Sequence, residues 1–85
     1  MPADASLLNS LAVLYARKQR FPDALRLLSK AVSLSPDDPL SWLNLGVSLE
    51  ATGDHEGAAA AYSHALTLQP DFARARQYLN RVSKN

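Results

Sequence analysis

Apolar residues recur along this chain at steps of three and four, the spacing that lines one face of an α-helix. Leu7, Leu8, Leu11, Leu14 and Tyr15 form one such stripe, and Ala24, Leu27, Leu28, Ala31 and Leu34 form the next. Pro and Gly punctuate them. Gly53-Asp54 supplies a left-handed stop followed by an N-cap, and Pro22 suits the first turn of a helix. Pro36-Asp37-Asp38-Pro39 and Pro70-Asp71 each end one segment and open another. The pattern predicts an all-α chain, with helices over 5–18, 22–34, 39–52, 55–68 and 72–83.

Shifted by 34 positions, the chain overlays itself. Leu11 falls on Leu45, Val13 on Val47, Ala24 on Ala58, Ser29 on Ser63, Ala31 on Ala65, Leu34 on Leu68, Pro36 on Pro70 and Asp37 on Asp71. A third copy begins at Ala73 and places Leu79 over Leu45. Ala12 and Gly46 on first helices, and Ala24, Ala31, Ala58 and Ala65 on second helices, let two backbones approach closely as antiparallel partners. Trp42 or Leu8 on one side, and Leu49 or Tyr15 on the other, fill the space beside them. Each unit therefore reads as a helical hairpin.

Trp42, Leu45, Gly46, Leu49, Ala58, Tyr62, Ala65 and Pro70 reproduce the spacing of the tetratricopeptide signature, and from about Ala5 onward the chain resembles that family. The first unit is a looser copy. Leu8 stands in its tryptophan slot, Ala12 in the glycine slot, Leu28 in the aromatic slot, and Gln19 where Gly53 turns the second unit. The resemblance implies one domain over 1–85, a right-handed α-solenoid of antiparallel hairpins. Repeat 1 would span 5–38, repeat 2 would span 39–72, and a solvating helix would occupy 73–85.

The two ends differ. Ala75, Leu79 and Val82 keep an apolar row that can pack on the preceding second helix, whereas Arg76, Asn80 and Ser83 occupy the slots of Trp42, Gly46 and Leu49. Such a polar face is expected of a helix that caps a repeat array. Leu7, Leu11 and Leu14 form the row equivalent to Ala75, Leu79 and Val82, and in the second unit that row is Ser41, Leu45 and Ser48. An exposed apolar strip of this kind marks an interface, to a preceding repeat, a second copy or a partner. The alternative is that Met1 and Pro2 fold back across it.

Composition narrows the function class. Of 85 residues 47% are hydrophobic, enough to require a packed core and to exclude disorder over most of the length. Nine Lys or Arg balance eight Asp or Glu, so there is no acidic tail and no charge-based case for nucleic acid. Arg17, Lys18 and Arg20 close the first helix, and Arg74, Arg76, Arg81 and Lys84 decorate the last. Cations near helix C-termini are electrostatically favoured, and only Tyr78 supplies an interleaved aromatic, so no nucleic-acid partner is expected. No run approaches the roughly 20 apolar residues of a membrane span, and Met1 to Ser10 lacks the pattern of a signal peptide. A soluble protein, or a soluble piece of a larger one, is expected.

Catalytic chemistry finds no footing. Cysteine is absent, which removes disulfides and thiolate metal sites. His55 and His64 lie two and a half helical turns apart, on opposite sides, and cannot share a metal. His55 is expected to be half-buried near the inter-helix turn, His64 to face outward, and Asp54 and Glu56 to serve as N-terminal helix charges. The sequence has no glycine-rich phosphate loop and no nucleophile elbow, so no enzyme, cofactor or metal is expected.

Stacked hairpins curve so that their first helices line a concave face. The candidates for that face are Asn9, Val13 and Arg17, then Leu43, Asn44 and Val47, then Arg74, Tyr78 and Arg81. Leu43, Val47, Val13 and Tyr78 offer an apolar floor, Asn9 and Asn44 can hydrogen-bond a peptide backbone, and the arginines can pair with carboxylates. One subgroup of the family grips a peptide's C-terminal carboxylate with Lys and Asn, then Asn, then Lys and Arg. Here Asn9, Val13, Asn44, Arg74 and Tyr78 stand at those places. Only Asn44 matches and Arg74 conserves charge, so a complete clamp is not implied. The expectation is a non-enzymatic interaction scaffold that binds a peptide segment, with an acidic feature near Arg74 and Arg81. The alternative is an assembly element that self-associates or docks through Leu7, Leu11 and Leu14.

Overall fold

A computed structural model describes residues 4–84. Its elements are α1 (Ala5–Arg17), α2 (Phe21–Leu34), α3 (Pro39–Ala51), α4 (His55–Leu68) and α5 (Ala73–Ser83). Every helix read from the sequence is present, with ends within one residue of expectation. The starts are chemically marked. Asp4 accepts from the Leu7 amide at 2.8 Å, Asp38 from Leu40 at 3.1 Å and Asp54 from Gly57 at 2.8 Å, each satisfying an amide that the helix leaves unpaired. Pro22 and Pro39 stand in first turns, where the missing N–H is no loss. The hairpin turns are built alike: Gly53 takes φ 91°, and Gln19, its equivalent, takes φ 62° despite carrying a side chain.

α1 pairs with α2, α3 with α4, and the next contacts run from α2 to α3, α1 to α3 and α4 to α5. Each unit thus touches only its neighbours, as in a helical repeat solenoid. The shortest extent is 16 Å, the depth of two helix layers. Ala24, Ala31, Ala58 and Ala65 are fully buried where the hairpins close, as their small size requires. Trp42 is half-buried, and its indole N–H donates to the Pro36 carbonyl at 2.8 Å.

The row facing the preceding unit is buried in α3 (Ser41, Ser48) and in α5 (Ala75, Val82). In α1 it is open: Leu7 is 60%, Leu11 40% and Leu14 53% exposed. The suggested fold-back of Met1 and Pro2 falls outside the described residues. Arg76, Asn80 and Ser83 face solvent. His55 is a correction: it is exposed, because as the first residue of α4 it projects past the end of the helix pair. His64 is exposed as expected, with its ring 4.1 Å from that of Trp42.

Candidate functional site

Val13, Ala16 and Arg17 of α1 face Asn44, Val47, Ser48 and Ala51 of α3 across a cavity of 360 Å³, whose remaining wall is Ala12, Phe21 and Leu28. A second hollow of 260 Å³ lies between Val47, Glu50, Ala51 and Arg81. The two share Val47 and Ala51, so they run on along the first-helix side of the stack. Four of the nine expected groove residues, Val13, Arg17, Asn44 and Val47, converge on the larger hollow, and Arg81 reaches the smaller one.

Asn9 does not line the groove. It is 4% exposed, and its Nδ2 donates to Ser41 Oγ at 2.8 Å, with Asp38 Oδ2 at 3.5 Å. Ser41 Oγ in turn donates to Asp38 Oδ2 at 2.8 Å. This chain ties α1 to the N-terminus of α3, so the amide read as a contact for a peptide backbone instead joins two repeats. Leu43 is also corrected. At 1% exposure it belongs to the core with Tyr62, Ala65 and Val82, because α3 is flanked by helices on both sides and its buried arc is wide.

The α5 residues meet a carboxylate from their own chain. Arg81 donates from Nε to Glu50 Oε2 at 3.0 Å and from Nη2 to Glu50 Oε1 at 2.7 Å. Tyr62 donates its hydroxyl to Glu50 Oε1 at 2.8 Å. The Arg81 guanidinium lies 4.7 Å from the centre of the half-buried Tyr78 ring, itself 5.6 Å from the Tyr62 ring. The Arg81 hydrogen bonds, opposed by burial and aided by Tyr62, hold the Glu50 carboxyl below the usual carboxylate range. Burial first, then the Glu50 hydrogen bond, pushes the Tyr62 phenol well up. Arg74 is exposed at the start of α5, with its guanidinium 5.7 Å from the Phe72 ring.

Phe21 and Leu28, two second-helix residues, stand in the wall of the larger hollow without having been expected there from the sequence. The available signal was size. Leu28 stands where the second unit has Tyr62, and the smaller side chain leaves space. At the open edge, Leu11, Leu14, Tyr15, Lys18 and Arg20 surround a further hollow of 260 Å³.

Comparison with known proteins adds a lineage to this geometry. The chain is 38% identical over 76 residues to the peroxisomal targeting signal receptor of Candida albicans and 35% identical over 82 residues to that of Saccharomyces cerevisiae. These alignments cover 89% and 96% of the chain, and the chain spans only 13% of the length of either receptor. The first TPR of Spaghetti, solved bound to HSP90 peptide SRMEEVD, superposes with a TM-score of 0.91 at 25% identity, over 95% of this chain and 64% of that one. The sequence model of one family, described as Tetratricopeptide repeat, matches residues 9–71. Because that match spans most of a chain whose repeats already fold as stacked hairpins, the protein belongs to the tetratricopeptide repeat family.

Proposed function

We propose that this chain is a non-enzymatic protein–protein interaction unit whose concave face binds a segment of a partner polypeptide. The observation that carries the reading is the continuous pair of hollows along α1, α3 and α5, apolar at Val13 and Val47 and bearing one side-chain amide, Asn44, that can bond a peptide main chain. A solved structural neighbour that holds a peptide, and relatives named as receptors for a targeting signal, support it. A carboxylate clamp is not favoured, since Val13 and Tyr78 carry no charge and Arg81 is paired with Glu50. The test is selection of binding peptides from a random display library. Val47→Asp, at a position already 37% exposed, should abolish capture of the enriched peptides without unfolding the chain. Peptides that bind that variant undiminished overturn the reading.

A second reading rests on the exposed row Leu7, Leu11 and Leu14, whose equivalents in α3 and α5 are covered by a neighbouring unit. On this reading the edge docks or self-associates. Light scattering across concentration decides it: an associating species that reverts to monomer with Leu7→Glu supports it, and a concentration-independent monomer removes self-association.

A further inference from the structure

We propose that the hollow between the two hairpins is an anchor pocket for one bulky apolar side chain of the bound segment, and that acidic residues flanking that side chain are met by Arg17. This rests on the concave-face reading and names the chemistry of its ligand.

The molecule contains its own control. Displaced by 34 positions, Glu50, Tyr62, Tyr78 and Arg81 fall on Ala16, Leu28, Asn44 and Val47. At the junction of the second hairpin with α5 the four larger residues place two rings and a bidentate ion pair in the equivalent space, leaving the smaller hollow of 260 Å³. At the junction of the two hairpins the smaller four line the 360 Å³ cavity. Side-chain volume at these equivalent positions therefore contributes to the wider opening. That opening is more than twice the roughly 150 Å³ that accommodates a benzene ring in an apolar cavity. The lining offers few polar partners, which disfavours ordered water and favours an apolar occupant.

The rim gives the charge. Arg17 lies at the mouth and forms no ion pair among the described residues, and exposed Lys18 follows it. At the far end Glu50 and Arg81 neutralise one another. The unpaired charge bordering the pocket is therefore positive, and a segment with acidic flanks is complementary to it. The acidic feature expected from sequence at Arg74 and Arg81 moves to the other end of the groove.

The test uses the full chain with labelled methyl groups and three capped pentapeptides, Gly-Glu-Phe-Glu-Gly, Gly-Glu-Ala-Glu-Gly and Gly-Lys-Phe-Lys-Gly, followed by NMR. The first should give saturable shifts at Val13, Leu28 and Val47. Replacing Phe by Ala should weaken binding about tenfold or more, the contribution of one large buried apolar side chain. Replacing Glu by Lys should weaken it about threefold at low salt, a difference that salt removes. The double variant Ala16→Glu with Val47→Arg copies the ion pair of the narrower junction into the wider one and should lose these shifts while melting cooperatively. Ala51→Leu, on an exposed residue at the mouth, is the second blocking variant. Binding that survives both blocks, or no saturation by about 10 mM of the first peptide, overturns the anchor pocket. If library-selected peptides still lose binding with Val47→Asp in that case, the concave-face reading stands without it. Shifts that grow with protein concentration alone would assign the hollow to a second copy and overturn the proposal.

Discussion

The two junctions of this small solenoid stand at equivalent repeat positions, and four of the side chains in which they differ are instructive. Between the hairpins, Ala16, Leu28, Asn44 and Val47 leave a cavity of 360 Å³, whereas between the second hairpin and α5, Glu50, Tyr62, Tyr78 and Arg81 narrow the equivalent space to 260 Å³. The difference shows that the repeat fold alone does not set the size of the hollow between neighbouring units. Close-packed interiors tolerate no unfilled volume without consequence, so the residues at a few positions help to decide how much space a junction keeps.

The contrast between the junctions should be disturbed most by truncating the residue that fills each of them. Tyr62→Ala removes a fully buried ring and is expected to destabilise the chain by about 3–5 kcal/mol in urea unfolding. Leu28→Ala, at 1% exposure but beside an existing cavity, should cost less, about 2 kcal/mol. Equal losses would mean that the wider junction is as tightly packed as the narrower one.

A sharper version exchanges the close-approach pair. A methyl at Gly46 would fall inside the contact distance of the Tyr62 ring, so Gly46→Ala should destabilise by about 1–3 kcal/mol although alanine is the better helix former. Adding Tyr62→Leu recreates the Ala12–Leu28 pair of the first unit, and a double-mutant cycle should then recover about 1 kcal/mol or more. Additive losses would deny that the two residues meet.

The ion pair at the narrower junction contributes less. Because the Glu50 pKa is depressed in the folded state, its stabilisation is present above the ordinary carboxylate range and is lost as pH falls through the folded value. Arg81 is 56% exposed, so solvent screening keeps the contribution to about 1 kcal/mol or less. Glu50→Gln should remove it and flatten the acid limb of a stability–pH curve. Tyr62 has the opposite sign: its raised pKa gives stability that is full below the ordinary phenol range and declines as pH rises beyond it. Tyr62→Phe should flatten that alkaline limb, and unchanged limbs in both variants would mean that the network does not help to hold the narrower junction together.

The smallest effect is expected at the hairpin turns. Gln19→Gly relieves the left-handed strain that Gly53 avoids, offset by greater freedom of the unfolded chain, and should stabilise by about 0.5 kcal/mol. Gly53→Gln should lose a similar amount. Thermal midpoints that move the other way would show that the two turns are not equivalent.

Most of the fold was legible because it is written in local spacing. Asp4, Asp38 and Asp54 cap the helices they precede, Gln19 and Gly53 turn the chain at matched positions, and the buried alanines mark where helices cross. The site was legible only in part. Val13, Arg17, Asn44 and Val47 meet at one hollow, but Asn9 and Leu43, which helix projection places beside them, are buried in contacts between and within repeats. Phe21 and Leu28 enter the wall from second helices, which a search of the first helices passes over.

By itself the sequence determined the helices, their caps, the 34-residue hairpin repeat and the family, because each follows from residue order within a few turns of chain. Tertiary structure alone decided that Glu50 neutralises Arg81, that Asn9 serves Ser41, and that one junction is wider than the next. Helical periodicity gives the direction of a side chain about its own axis. Whether that direction leads to solvent, to a carboxylate or to another helix depends on the reach and volume of residues an entire repeat away.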